Sequence, residues 1–209
     1  MAVTVNRGGV TLFSDPRCHR SHRVRLVLAE KGVAAEVVSV EPRNLPEVLF
    51  EWNPHGTLPT LVDRELALHE PRVVLEYLDE RYPHPPLLPA HPVARALARE
   101  AMARIERDWD ASLDALAAGA EGEEGQQARA RLAQELVLLA GLLAERPYLL
   151  GEDFSLVDCY LAPVLWRMRA LAVPLPTSRQ GRPLLEYMVR LFERPAFGAS
   201  LSAAERELG

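Results

Sequence analysis

A small α/β domain joined by a stiff linker to an all-helical domain is the architecture this sequence predicts. Three observations carry it. Up to about residue 82, short apolar runs alternate with segments of helical spacing. Pro83–Pro92 is then dense in proline, and every apolar pattern beyond it repeats at helical period.

Val10-Thr-Leu-Phe13 predicts the first strand, closed by the turn residues Ser14-Asp15-Pro16. Val24, Val27, Leu28 and Lys31 repeat at helical spacing, and Gly32 supplies a stop. Glu36–Val40 predicts a second strand. A loop ending in Asn53-Pro54-His55-Gly56 follows, then a hairpin of Leu58–Val62 and Leu66–Leu68 with Asp63-Arg64-Glu65 at its turn. Pro71–Tyr82 returns to helical spacing through Val74, Leu75 and Leu78. This layer is too small for a full dinucleotide-binding domain. Beyond the prolines, Met102, Ile105, Trp109, Leu113 and Leu116 predict one long helix, and Gly119–Gly125 an acidic loop. Leu132, Leu136, Leu139 and Leu143 mark the next helix. Leu156–Leu165 is apolar on nearly all sides, as in the middle of a bundle. Helical pieces run on through Leu184, Met188 and Leu191 to Glu207. The expected domains are therefore 1–86 and 87–209.

Bulk composition excludes several classes. Hydrophobic residues make up 48% of the 209 and charged residues 25%, enough for a real core. No apolar run approaches the roughly 20 residues that span a bilayer, and Met1–Arg7 lacks the apolar stretch of a secretory signal. A cytoplasmic protein with no membrane contact is expected. The 24 basic against 29 acidic residues leave a net charge of −5, so direct binding to nucleic acid is not expected. Cys18 and Cys159 imply no disulfide framework. Cys18, His19 and His22 cluster without a fourth ligand, so no metal is expected.

Three further motifs resemble the glutathione-transferase superfamily. They are Asn53-Pro54-His55-Gly56-Thr57-Leu58-Pro59-Thr60-Leu61, the strand-to-helix start Leu68-His69-Glu70, and Phe154-Ser155-Leu156-Val157-Asp158. In the last, Ser155 and Asp158 fit a capping box with Phe154 as the staple residue. The resemblance implies a thioredoxin-like α/β N-terminal domain plus an all-α C-terminal bundle, the glutathione-transferase fold. It also implies a cis bond before Pro59, which lets Leu58 offer its backbone to glutathione. Within the superfamily, Val24–Gly32, Thr60–Arg64, Glu76–Arg81, Pro83-His84-Pro85-Pro86-Leu87 and Phe154–Pro163 resemble the stringent starvation protein A family along nearly the whole chain. That resemblance implies a homodimer bound to RNA polymerase holoenzyme during starvation and stationary phase, with no transferase activity and no cofactor. It places a regulatory pocket at Pro83, His84 and Pro85. The family often has a tyrosine just beyond, where this chain has His91; a histidine there makes the pocket smaller and more sensitive to pH.

Single residues argue in both directions. His84 is held between prolines, with little ordering entropy left to lose on binding; equally, these prolines can simply end a helix and space two domains. Transferases carry an acid and then serine or threonine at the helix start where this chain has Glu70-Pro71. Proline suits a first helical position, yet it removes the hydroxyl and the N–H that would hold glutathione's γ-glutamyl carboxylate. Leu58, Pro59, Glu70 and Pro71 therefore form a vestigial glutathione site. Cys18 has the spacing to Val24–Leu28 of the catalytic cysteine in omega-class transferases, and a helix N-terminus beside Arg17, Arg20 and Arg23 favours a thiolate. A thioltransferase using Cys18 is the alternative, although the omega pattern prefers proline where this chain has His19. Cys159 reads as core. Trp52, Trp109 and Trp166 read as packing residues, and the basic run Arg17–Arg25 as a solvated face.

Overall fold

Val10–Ser14, strand β1, is buried along its whole length, as an apolar run flanked by a partner on each side must be. The computed structural model describes residues 8–208. Around β1 stand α1 (His19–Glu30), β2 (Ala35–Ser39), α2 (Glu47–Trp52), β3 (Thr60–Asp63), β4 (Leu66–Leu68) and α3 (Pro71–Arg81). The sheet order is β2-β1-β3-β4. β1 and β2 run parallel, joined by the crossover helix α1, while β3 and β4 are antiparallel neighbours. Gly32 ends α1 in the left-handed region at φ 62°. One side of the sheet packs Phe13, Val40, Leu49 and Val62 into a core that Val48 and Trp52 of α2 help to cover. Val24, Val27 and Leu28 of α1 and Val74, Leu75 and Leu78 of α3 are also buried, each contributing about 1.5–3 kcal/mol. Helix α2 is an addition to the expected elements. Its six residues are too few to display a helical period.

The chain divides into two compact units between Pro85 and Pro86. The expectation that 87–209 forms one helical domain needs correction, because Pro195–Glu207 belongs with the first unit. Helices α9 (Pro195–Ser200) and α10 (Ala203–Arg206) lie in this segment, and α9 packs on α1. The solvated reading of Arg17–Arg25 is corrected for the same reason. Ser21, His22, Arg23 and Arg25 are buried, Arg23 completely. Arg25 donates through Nη2 to Glu205 Oε2 at 2.5 Å and through Nε to the Ser200 carbonyl at 2.9 Å. Its Nη1 reaches Ser14 Oγ and the Asp15 carbonyl. The same Glu205 oxygen takes the Ser202 N–H at 2.9 Å. His22 Nε2 lies 2.9 Å from Ser200 Oγ, with Nδ1 3.4 Å from Glu205 Oε1. A buried pair so fully hydrogen-bonded balances its desolvation cost.

The second unit holds α4 (Pro92–Ile105), α5 (Ala111–Ala117), α6 (Gly122–Leu142), α7 (Leu156–Arg167) and α8 (Arg182–Phe192). The long helix expected through Met102 and Leu116 has a π-helical turn at Glu106–Asp110, where Glu106 accepts the Tyr160 hydroxyl of α7. The acidic loop is shorter than expected. Glu123 and Glu124 instead occupy the first turn of α6, where negative charge offsets the helix dipole. Helix α7 begins with the expected capping box. Asp158 accepts the Ser155 N–H and hydroxyl at 2.8 and 2.6 Å, the Leu149 N–H at 3.1 Å and the Tyr187 hydroxyl of α8 at 2.7 Å. Burial pushes the Asp158 carboxyl up, and these donors oppose it. Burial, then the Asp158 charge, holds the Tyr187 phenol well above its usual value, so it remains the donor. Cys159 is fully buried, as expected of a core residue.

Truncating Glu205 strands the Arg25 guanidinium inside the first unit. Glu205→Ala is expected to lower the unfolding free energy by about 3–5 kcal/mol, whereas Arg25→Met with Glu205→Leu recovers most of that loss. Urea denaturation of both variants checks this.

Candidate functional site

Strand register decides which of the candidate residues meet. Phe13 lies opposite Thr60, and Leu61 opposite Leu68. The chain leaving β1 towards Cys18, the chain entering β3 through Leu58–Pro59 and the chain leaving β4 through His69-Glu70-Pro71 therefore all emerge at one end of the sheet. Cys18, Leu58, Pro59, Glu70 and Pro71 share that end.

The loop into β3 is wound about Asn53, which is wholly buried. Its Nδ2 donates to Thr57 O at 3.2 Å, Thr57 Oγ1 at 2.9 Å and Thr60 Oγ1 at 2.9 Å, and its Oδ1 takes the His55 N–H at 3.1 Å. Gly56 bends at φ 60°, and a Cβ added there would meet the Phe50 ring at 2.8 Å. The loop delivers a cis Leu58–Pro59 bond. The Leu58 backbone N–H and C=O make no hydrogen bond among the described residues. Such a pair can receive an extended ligand backbone as a strand would.

Around this edge the groups differ in fitness. Cys18 is half-buried as the N-cap of α1, with no acidic residue in the first turn, and its carbonyl accepts the His22 N–H at 3.0 Å. Glu70 is the N-cap of α3 and makes no capping hydrogen bond through its side chain, and Pro71 opens the helix. The helix end thus presents neither a hydroxyl nor an N–H at Pro71. Sequence reading missed one feature here. The rings of His55 and His69 lie 6.0 Å apart at a 53° tilt, and His69 Nδ1 is buried without a hydrogen-bond partner among the described residues. Two histidines 14 positions apart carry no periodic signal that would have paired them.

Pro83, His84 and Pro85 lie elsewhere. Helix α3 runs 11 residues back along the sheet, about 16 Å at the usual rise, and releases them towards the opposite end. All three are exposed, and the His84–Pro85 bond is cis. Lys31, buried at the end of α1, holds the segment. Its Nζ pairs with Asp79 Oδ1 at 2.5 Å and donates to the Pro85 carbonyl at 2.5 Å. His91 lies in the second unit, exposed, as the N-cap of α4. No group of three or more His, Cys, Asp or Glu is placed to hold a metal ion among the described residues. Nor is any described helix long and apolar enough to cross a membrane.

Family comparison agrees with this division of the chain. The glutathione S-transferase N-terminal domain model matches residues 12–86, and the C-terminal domain model matches residues 89–190. A stringent starvation protein A homolog of Pasteurella multocida is 48% identical over 200 residues, covering 95% of this chain and 92% of the relative. One of Coxiella burnetii is 46% identical over 204 residues, covering 98% and 97%. The chain belongs to the stringent starvation protein A family. Its fold is that of the glutathione transferases. Among solved structures, glutathione transferase Omega 3C of Trametes versicolor superposes with a TM-score of 0.81 at 26% identity, over 93% of this chain and 85% of that one. At the start of α3, Pro71 offers a charged ligand group neither of the two donors, hydroxyl and N–H, that a serine there would supply. Each such donor is worth about 1.5–3 kcal/mol.

Pro71→Ser restores a hydroxyl and an N–H at the start of α3. Glutathione affinity, measured by calorimetric titration, is expected to rise at least about tenfold over the native chain. An unchanged affinity would show that this helix end does not limit binding.

Proposed function

We propose that this protein is a homodimeric, non-catalytic regulator that associates with RNA polymerase holoenzyme in the starvation and stationary-phase response of the cytoplasm. Membership of the stringent starvation protein A family is the observation that carries the reading. The surface supports it. Pro83, His84 and Pro85 are exposed on a backbone fixed by two prolines and by the buried Lys31, so a partner would spend little free energy ordering them. A net charge of −5 favours a protein partner over direct binding to nucleic acid. Apolar exposure supports self-association. The first unit leaves Leu66 and Val73 exposed on β4 and α3, and the second leaves Leu97, Leu138 and Leu142 exposed on α4 and α6. In the second unit, Ala101, Leu138 and Leu142 also line a cavity of about 230 Å³. Packing the small domain of one subunit on the helical domain of another would cover both patches. His91, exposed at the start of α4 in the second unit, is a separate candidate for partner contact.

A titration against purified holoenzyme tests this reading. The native chain, running at twice the chain mass in light scattering, is expected to bind saturably, and His84→Ala to weaken binding about tenfold without changing its thermal midpoint. Equal binding by the variant would remove His84 from the interface.

A second reading is favoured by the placement of Cys18 at a helix N-terminus, at the same sheet end as the unpaired Leu58 backbone. There the protein would exchange thiols with glutathione, as an omega-like thioltransferase. Glutathione-dependent reduction of a mixed disulfide, lost in Cys18→Ser, is the expected result under this reading; no activity in the native chain ends it.

A further inference from the structure

Near the Pro83–Pro85 segment, a cavity of about 310 Å³ lies among the start of β1, the turn after α1, the β3–β4 turn and the end of α3. Its charged lining consists of Lys31, Asp63, Arg64 and Arg81. Lys31 is neutralised by Asp79 at 2.5 Å. The Tyr77 hydroxyl donates to Asp63 Oδ2 at 2.7 Å, and burial with that contact keeps the phenol raised and protonated. Arg81 Nε stands 3.8 Å from the same oxygen, too far for a hydrogen bond, and its side chain is 45% exposed. Arg64 is exposed and makes no hydrogen bond or ion pair among the described residues. Two guanidiniums thus face one carboxylate, leaving one positive charge in excess on a chain whose net charge is −5.

Backbone geometry adds to this. Arg64 sits at φ 58° in the tight turn joining β3 to β4. Glycine or asparagine adopts that conformation at little cost, whereas another L residue is disfavoured by about 1–2 kcal/mol. The turn has no packing need for a long cationic side chain, since Arg64 points into no core. Lys31 links the cavity to the proline segment, because it lines the one and donates to the Pro85 carbonyl of the other.

We propose that this cavity is an acid-reading subsite, which takes an aspartate or glutamate side chain from a protein partner docked on Pro83–Pro85. Arg64 would hold the carboxylate through its paired N–H donors, with Arg81 completing the contact from the α3 end. A single carboxylate matches the single excess charge, whereas a doubly charged phosphate would also face Asp63. The subsite deepens the polymerase reading and rests on it for the partner's identity.

Two arms of one experiment test the subsite, and each is decisive alone. In the first, purified holoenzyme is titrated with the native chain and with Arg64→Glu, Arg64→Lys and Arg64→Gly. The glutamate variant is expected to weaken binding at least about tenfold and the lysine variant only slightly. The glycine variant should weaken binding while holding or raising the thermal midpoint, because it relieves the turn. Holoenzyme binding that Arg64→Glu leaves unchanged overturns the proposal. So does a glutamate variant whose loss of binding accompanies a changed mass in light scattering. If the native chain does not bind holoenzyme, the polymerase reading falls and the second arm decides the subsite. There a hexaglutamate peptide is titrated while the arginine Nε–H resonances are followed, with hexalysine as control. Shifts at Arg64 and Arg81 caused by hexaglutamate alone, and absent in Arg64→Glu, uphold the subsite; their absence in the native chain overturns it.

Discussion

The buried ion pair between Arg25 and Glu205 fixes the first unit. An arginine in the middle of α1 can be buried only if its donors find acceptors, and its three nitrogens reach Glu205, Ser200, Ser14 and Asp15. Two of these acceptors stand at the end of β1 and the loop after it, and two on the segment that returns from the far end of the chain. One side chain therefore ties strand, helix and C-terminal segment together. Ser202 extends the tie by donating to the Pro16 carbonyl at 2.6 Å, two residues before Cys18. The N-cap of α1 is held from both sides, so any chemistry at Cys18 depends on contacts made by the last residues of the chain.

What the sequence makes legible is what local physics decides. The β3–β4 hairpin, the glycine stop after α1 and the capping box at Ser155 are each set by residues a few positions apart. All three stand where spacing predicts them. The return of Pro195–Glu207 to the first unit was not legible, because Arg25 and Glu205 are 180 positions apart and a charged run gives no sign of the acid that will bury it. The π-helical turn at Glu106–Asp110 escaped for a different reason. One inserted residue scarcely alters the apolar period, and the Glu106 contact that accompanies the turn is with Tyr160, 54 positions away on α7. The candidate site was legible as a set of residues but not as a geometry. Register alone brings Cys18, Leu58 and Pro71 to one sheet end and sends Pro83–Pro85 away from it.

That separation makes the groove and the proline segment independent in structure. Binding a peptide-like ligand at the cis Leu58–Pro59 edge needs backbone groups, a helix N-terminus and, for thiol chemistry, Cys18. None of the atoms that hold Pro83–Pro85 takes part. Lys31 joins Asp79 and the Pro85 carbonyl at the other end of α1 and α3. Arg64 and Arg81 stand with Lys31 around the cavity at that end.

Magnitudes at Pro71 bear on the two readings of the chain. A proline at the first helical position removes freedom from the unfolded chain and stabilises the fold by about 0.4–1 kcal/mol where its φ fits. The donors it deletes would each contribute about 1.5–3 kcal/mol to a bound carboxylate. For a chain whose function required glutathione, the exchange is unfavourable by a wide margin. For one whose function lies at the opposite end of the sheet, it is a small gain in stability with nothing set against it. Arg64 shows the reverse balance. There the turn holds a backbone conformation that glycine would take at less cost, a cost that the proposed carboxylate partner would offset.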